Sequence, residues 1–143
     1  MSYGRYQNII QLLNSNQRES VFMKLMKEYL ERNPKIGYIV FQVYQESPIK
    51  GRIPIDNAMV TVNKYLGNGY FVSKVLYTDS DGKTVPLPFF TPDKKFSMTP
   101  GNDHVYETYI AYIGAPDFKT AYVSDIQVFD GITSIQSVIL LPE

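Results

Sequence analysis

The fold of this chain is decided between Ile53 and Val62, where the sequence reads Ile53-Pro54-Ile55-Asp56-Asn57-Ala58-Met59-Val60-Thr61-Val62. Its apolar residues Ala58, Val60 and Val62 recur at every second position, which predicts a strand with one buried face. The same period of two continues between Gly37 and Pro142, in short runs closed by turn residues and without intervening helices. The sequence therefore predicts a mainly β fold, an antiparallel sandwich of about seven strands.

Turn signals separate the predicted strands. They are Gly67-Asn68-Gly69, then Tyr77-Thr78-Asp79-Ser80-Asp81-Gly82-Lys83-Thr84, then Phe129-Asp130-Gly131-Ile132-Thr133-Ser134-Ile135-Gln136. Asp-Gly dipeptides favour tight turns because glycine readily adopts positive φ. Residues 48–54 and 86–103 read as loops, and the second contains four prolines, which cannot donate to a central ladder.

The first part of the chain has a helical period instead. Two apolar sets fall at helical spacing: Tyr6, Ile9, Ile10 and Leu13, then Val21, Phe22, Leu25, Met26, Tyr29 and Leu30. Between them, Asn16 and Glu19 have the spacing of a capping pair. Asn33-Pro34 then stops the second helix. We therefore divide the chain into an N-terminal helical arm, residues 1–33, and a β-sandwich domain, residues 34–143.

The predicted sandwich resembles the carboxypeptidase regulatory-like family. The matching residues are Pro54-Ile55-Asp56-Asn57-Ala58-Met59-Val60-Thr61-Val62 and Thr78-Asp79-Ser80-Asp81-Gly82-Lys83-Thr84. A narrower likeness is carried by Pro86-Leu87-Pro88, Thr91-Pro92-Asp93 and the run from Phe129 to Gln136. It is to the sandwich domain of bacterial spore cortex-lytic enzymes and to short proteins of spore-formers and their prophages.

The resemblance covers about 105 of the 143 residues and implies a transthyretin-like sandwich. It does not include the helical arm. The hydrolase domain that accompanies such sandwiches is not part of this sequence, so the resemblance does not imply an enzyme here.

Composition excludes several classes of function. The 14 basic and 14 acidic residues cancel, whereas nucleic-acid binding needs a basic excess. The absence of cysteine excludes disulfides, thiol nucleophiles and thiolate metal sites. The N-terminus has no apolar core of a secretory signal, and no apolar run has the length of a membrane helix. We expect a protein made in the cytoplasm and incorporated into a particle such as a virion, or into a spore.

Candidate reactive groups all have a simpler explanation. Asp79-x-Asp81-Gly82 looks like part of a calcium loop, but position twelve is Phe90 instead of glutamate, so a β-turn is favoured. The single histidine, His104, lacks a positioned partner for catalysis or metal binding. Carboxylates that could form a catalytic pair fit turn or cap chemistry equally well; they are Asp56, Asp79, Asp81, Asp125 and Asp130. We predict no catalytic, cofactor-binding or metal-binding residues.

The helical arm leaves two alternatives open. It folds back over one sheet, or it docks on a neighbouring subunit or another protein. The docking alternative assigns partner binding to Tyr3, Tyr6, Ile9, Ile10, Leu13, Phe22, Leu25, Met26 and Tyr29.

Two functions remain at this stage. One is a non-enzymatic structural subunit of a larger repeating particle, most concretely a phage-like virion decoration protein of the head or tail. The other is a spore-associated module that binds a cortex hydrolase or peptidoglycan.

Overall fold

The computed structural model describes residues 20–95, 101 and 105–143, in which one helix and eight strands form a two-sheet sandwich. The helix is α1 (Val21–Arg32), and the strands are β1 (Lys35–Ser47), β2 (Gly51–Pro54), β3 (Met59–Gly67), β4 (Tyr70–Tyr77), β5 (Leu87–Thr91), β6 (Glu107–Gly114), β7 (Ala121–Val128) and β8 (Thr133–Ile139). The predicted β-sandwich with an N-terminal helix is confirmed, with eight strands instead of seven.

Two strands lie where the sequence predicts loops. Strand β2 pairs with the end of β1, and β5 pairs with its beginning. Both are edge strands, where Pro54 and Pro88 are tolerated because a missing N–H interrupts no central ladder. The loop predictions are therefore wrong for residues 51–54 and 87–91, since proline excludes only central strands.

The first sheet has β1 at its centre. Strands β2 and β5 share one edge of β1, and β8 runs parallel along the other, from Tyr38↔Thr133 to Tyr44↔Ile139. The prediction of a wholly antiparallel sandwich is wrong at this pair. The connection after β7 crosses from one sheet to the other, so β8 is not a hairpin partner of β7.

The second sheet has the strand order β4-β3-β6-β7 and is antiparallel throughout. Its inward residues Val60 and Val62, as predicted, are buried against Phe41 and Val43 of the first sheet. Gly37 lies where the sheets approach closely, because a Cβ there would be 2.2 Å from the Phe129 carbonyl oxygen. The core is therefore a continuous apolar layer between the sheets.

Helix α1 ends as its sequence predicts, whereas its first residue follows Ser20 and not the predicted capping pair; Asn16 and Glu19 lie outside the described residues. Ser20 caps it by accepting a hydrogen bond from the Met23 N–H at 3.1 Å, which satisfies one of the free donors of the first turn. At the other end, Asn33 follows the last helical residue. In the described ranges, no helix is long and apolar enough to cross a membrane.

Candidate functional site

The helix covers its own sandwich. Tyr29 contacts both sheets, because its hydroxyl lies 2.6 Å from the Tyr109 hydroxyl and its ring meets the Phe90 ring edge-on at 6.0 Å. Met26 and Tyr29 are each 2% exposed, so the prediction that they contact a partner is corrected: the chain itself buries them. Met23, which the helical stripe omits, is equally buried.

The other residues of the predicted docking surface divide into two groups. Phe22 and Leu25 are half-buried at the β3–β4 turn, where the Phe22 ring lies 5.5 Å from the Tyr70 ring. The remaining five lie outside the described residues; they are Tyr3, Tyr6, Ile9, Ile10 and Leu13. Helix α1 therefore folds back on its own sandwich. For the first segment of the arm, docking on a partner stays a prediction.

A buried polar network lies under the helix. Tyr109 donates a hydrogen bond to the Phe90 carbonyl oxygen at 2.5 Å. Because a phenol has one proton, Tyr29 is the donor in the bond between the two hydroxyls. Burial, together with neighbouring Tyr29, raises the pKa of Tyr109 far above its ordinary range. Tyr109 therefore stays neutral, and the two phenols tie α1 to both sheets.

Glu107 is the acidic member of this network. Its carboxylate accepts hydrogen bonds from Lys64 Nζ at 2.6 Å, from Asn33 Nδ2 at 2.9 Å and from the Thr108 N–H at 3.0 Å. Burial alone would raise the pKa of Glu107, but these bonds and the Lys64 charge hold it below its ordinary value. Asn33 also donates to the Tyr29 carbonyl oxygen, so it joins the helix end to β6.

The network leaves no room for a substrate. The cavity beside it has a volume of about 30 Å³ and is lined by Tyr29, Lys64, Lys74, Phe89 and Tyr109, among others. That is space for a few water molecules at most. Lys74 reaches across its mouth to donate to the Pro88 carbonyl oxygen, with its ammonium 4.7 Å from the centre of the Phe89 ring. We interpret this region as a structural contact that holds α1 on the sandwich.

The candidate reactive groups of the sequence lie in turns. Asp79 Oδ1 accepts hydrogen bonds from the backbone N–H of Asp81 at 2.9 Å and of Lys83 at 3.0 Å, and Gly82 has φ +75°. The predicted β-turn is confirmed. Across residues 20–95, 101 and 105–143, no group of three or more histidine, cysteine, aspartate or glutamate residues could hold a metal ion. His104 lies outside these ranges.

A large apolar surface faces outward on the second sheet, on the side away from the core. We call it the tyrosine face, and it consists of Met59, Tyr65, Phe71, Val75, Tyr77, Tyr112 and Tyr122. Each of these side chains is between 43% and 59% exposed, whereas exposed apolar residues on a monomer are more often scattered singly. The face is therefore a candidate contact surface.

Register explains why these residues meet. Tyr65 pairs with Phe71, Met59 pairs with Tyr77, and Tyr112 pairs with Tyr122, whose ring centre is 5.1 Å away. Because alternate residues of a strand share one face, each pair lies opposite the buried positions of the same strands. All the aromatic pairs consequently line one side of the sheet.

The tyrosine face carries no charge on its three main strands. The polar residues that share the outward positions of β3, β4 and β6 are uncharged, as with Thr61, Asn63 and Ser73. The lysines of these strands, Lys64 and Lys74, point toward the helix side instead. A groove of about 430 Å³ runs over the face, lined by Asn63, Tyr65, Phe71, Ile110 and Tyr112.

The sequence contains 12 tyrosines, but the sequence analysis does not locate this surface. The surface could have been predicted from the outward-facing residues of two alternating runs. These runs are Met59-x-Thr61-x-Asn63-x-Tyr65 and Phe71-x-Ser73-x-Val75-x-Tyr77. Both runs are free of charge, which is unusual for the solvated side of an antiparallel sheet.

Comparison with known proteins adds little to this description. No protein-family model matches the chain, and no curated protein is significantly similar to it. Among solved structures, a 9R-lipoxygenase from Cyanothece PCC8801 is similar over 94% of this chain and 22% of its own, at 10% identity and a TM-score of 0.31. The chain thus spans about a fifth of that protein, and a similarity this low supports no functional argument. The likeness to the carboxypeptidase regulatory-like family stays a prediction.

Proposed function

We propose that this protein is a non-enzymatic structural subunit that attaches to a larger repeating particle through the tyrosine face. A decoration protein on the head or tail of a phage-like virion is the most concrete form of this proposal. The observation that carries it is the uncharged, aromatic outer side of β3, β4 and β6. The virion context itself rests on the narrower sequence resemblance to prophage proteins.

The composition of the face is that of an interface core. Tyrosine, phenylalanine and methionine are enriched at protein–protein contacts and charged residues are depleted there. Fully burying a phenylalanine or methionine side chain, relative to leaving it exposed, contributes roughly 1.5–3 kcal/mol. Several together can offset the entropy of association, which suits a subunit held on a surface.

The polar chemistry of the chain supports a structural role. The hydrogen-bonded network of Glu107, Lys64 and Asn33 holds α1 on the sandwich. The cavity beside this network is too small for a substrate. A catalytic site would need such groups to reach a bound molecule.

Particle composition tests the proposal. Phage-like particles and spores would be purified separately from cells that encode the protein, and the chain would be quantified in each by mass spectrometry. A fixed number of copies per particle is the expected result. A chain that is absent from the particles would contradict the proposal.

The role of the tyrosine face has its own test. Tyr65→Ser with Phe71→Ser should abolish incorporation into the particles while leaving the chain folded, although it removes the exposed hydrogen bond that the Gly69 N–H donates to the Tyr65 hydroxyl at 3.1 Å. Ile49→Ser is the matched control, because Ile49 is a large apolar residue that is 93% exposed on another surface. Normal incorporation of the double variant would mean that attachment uses another part of the chain.

A second function is favoured by the groove on the same face. Aromatic rings beside the Asn63 amide form a surface on which uncharged sugar rings can stack and donate hydrogen bonds. This observation and the narrower resemblance favour a spore-associated module that binds peptidoglycan or a cortex hydrolase. Co-sedimentation with purified cortex that is lost in Tyr65→Ala and Tyr112→Ala would support this alternative, and a chain left in the supernatant would contradict it.

A further inference from the structure

We infer that β8 is a pairing edge, at which two copies of this chain join their first sheets through antiparallel β8 strands related by a two-fold axis at Gln136. This inference goes beyond the proposed function and uses a different surface from the tyrosine face.

The other edge strands carry features that block pairing. Strands β2 and β5 contain Pro54 and Pro88. Strand β4 has an inward-pointing lysine, Lys74, and β7 has a register shift beside Asp125, whose φ is +57°. Prolines, inward charges and bulges are the usual means by which proteins prevent edge-to-edge association.

Strand β8 has none of these features. Its sequence is Thr133-Ser134-Ile135-Gln136-Ser137-Val138-Ile139, without charge, proline or glycine. It pairs with β1 in an unbroken register over all seven residues, so its free edge is regular as far as Ile139; beyond β8, the Lys119 N–H donates to the Leu141 carbonyl on the same edge at 2.8 Å. Ile135, next to the middle of the strand, is 64% exposed.

The pairing with β1 determines which backbone groups point outward. The Tyr38 N–H donates to the Ile132 carbonyl, and the Leu140 N–H donates to the Tyr44 carbonyl, both at 2.8 Å. Residues of a parallel strand direct their backbone groups alternately to either side. The even-numbered residues of β8 therefore bond to β1, and the free edge presents the groups of Thr133, Ile135, Ser137 and Ile139.

These outward groups have little to bond with inside the chain. The Ser137 carbonyl accepts one long bond of 3.3 Å from the Gln136 side chain. For the others, no partner is seen in the part of the chain that the structure describes. They are therefore available for a second ladder.

The strand is complementary to itself in the matching register. With Gln136 opposite Gln136 of a second copy, Ile135 lies opposite Ser137 and Thr133 lies opposite Ile139. Those are the four residues with outward backbone groups, so this register forms a full set of hydrogen-bonded pairs. Because the strand is uncharged, the two copies place no like charges opposite each other. A second copy is thus the occupant that fits the edge.

A cysteine placed on the axis tests the register directly. Gln136 would be a non-hydrogen-bonded pair, in which Cα atoms are about 4.5 Å apart, within the range of about 4.4–6.8 Å that a disulfide spans. The chain has no other cysteine. We expect Gln136→Cys to form a disulfide-linked dimer under mild oxidation at micromolar concentration.

Ser137→Cys is the matched control for that experiment. In the proposed register the two copies of residue 137 are displaced by two residues along the strands, about 7 Å, so it should remain uncrosslinked. Equal crosslinking of both variants, or of neither, would overturn the inference.

Charged substitutions on β8 provide a second test that needs no cysteine. The solution mass is measured by light scattering over a range of concentrations. The natural chain should approach twice the monomer mass. Ile135→Lys with Ser137→Lys should be monomeric, because lysines then face each other across the axis. Ile135→Lys with Ser137→Glu should restore the dimer. Melting curves of both variants check that they are folded, since both positions are exposed.

Two further outcomes are decisive. A natural chain that is monomeric at every concentration overturns the inference. If Tyr65→Ser with Phe71→Ser abolishes the dimer while the lysine pair does not, association occurs through the tyrosine face. The inference then fails, and the proposed function keeps its support.

Discussion

Tyrosines occupy two contrasting regions of this molecule, the polar network under the helix and the tyrosine face. Under the helix, Tyr29 and Tyr109 are buried and their hydroxyls bond to each other and to the Phe90 carbonyl. On the face, Tyr65, Tyr77 and Tyr122 expose more than half of their surface. The same side chain thus fastens the fold in one region and is left available for contact in the other.

The comparison shows that burial, and not residue type, separates structural from candidate functional aromatic residues. A phenol with a satisfied hydroxyl and a packed ring contributes to stability. An exposed phenol on an uncharged sheet contributes little to folding, which suggests another reason for its presence. Substitutions should therefore affect stability strongly beneath the helix and weakly on the face.

The largest effect is expected in the core that supports both regions. Val60→Asp places an unpaired carboxylate at a fully buried position and should abolish the folded state, because the charge has no compensating partner. Circular dichroism and a thermal melt would show this. Thr61→Asp, one residue later on the outward side, should fold; a folded Val60→Asp would contradict the observed strand phase.

Removing Lys64, whose side chain is 16% exposed, should have the next largest effect. Lys64→Met leaves Glu107 without its ion-pair partner, at a cost of about 3–5 kcal/mol, measured as the free energy of unfolding in urea. Lys35→Met is the control, because Lys35 lies 4.0 Å from Asp93 and is half exposed. Its substitution should cost less than about 1 kcal/mol; equal losses would contradict the importance of burial.

Lowering the pH should weaken the contact between α1 and the sandwich by protonating the Glu107 carboxylate. The folded-state pKa of Glu107 lies below its ordinary value of 4.5, so its contribution to stability is complete above that value. The contribution is lost as the pH falls through the depressed pKa. Acid unfolding of the natural chain should accordingly be steeper below pH 4.5 than that of Glu107→Gln. Parallel acid-unfolding curves would rule out a depressed pKa.

A single hydroxyl distinguishes the two tyrosine populations. Tyr29→Phe removes the donor to Tyr109 and should cost about 1 kcal/mol in urea unfolding. Tyr122→Phe removes an exposed hydroxyl and should change the unfolding free energy by less than about 0.5 kcal/mol. If both substitutions had the same effect, the contrast between network and face would not hold.

Much of the fold could be read from local patterns. The alternation of Ala58, Val60 and Val62 predicted an inward-facing strand because side chains alternate along any strand. Asn33-Pro34 predicted the end of α1 for an equally local reason. The proline-rich segments misled the prediction, because local sequence does not reveal whether a strand lies at the centre or the edge of a sheet.

The sequence by itself determined the sandwich class, the helix and the positions of most turns, since each follows from periodicity or from the conformational limits of glycine and proline. The tertiary structure alone decided which surface is free. It buried Met26 and Tyr29 against their own sandwich and gathered distant tyrosines on one uncharged face. It also left the free edge of β8 without a partner among the described residues. These outcomes depend on contacts between strands far apart in the chain, and one sequence does not specify them.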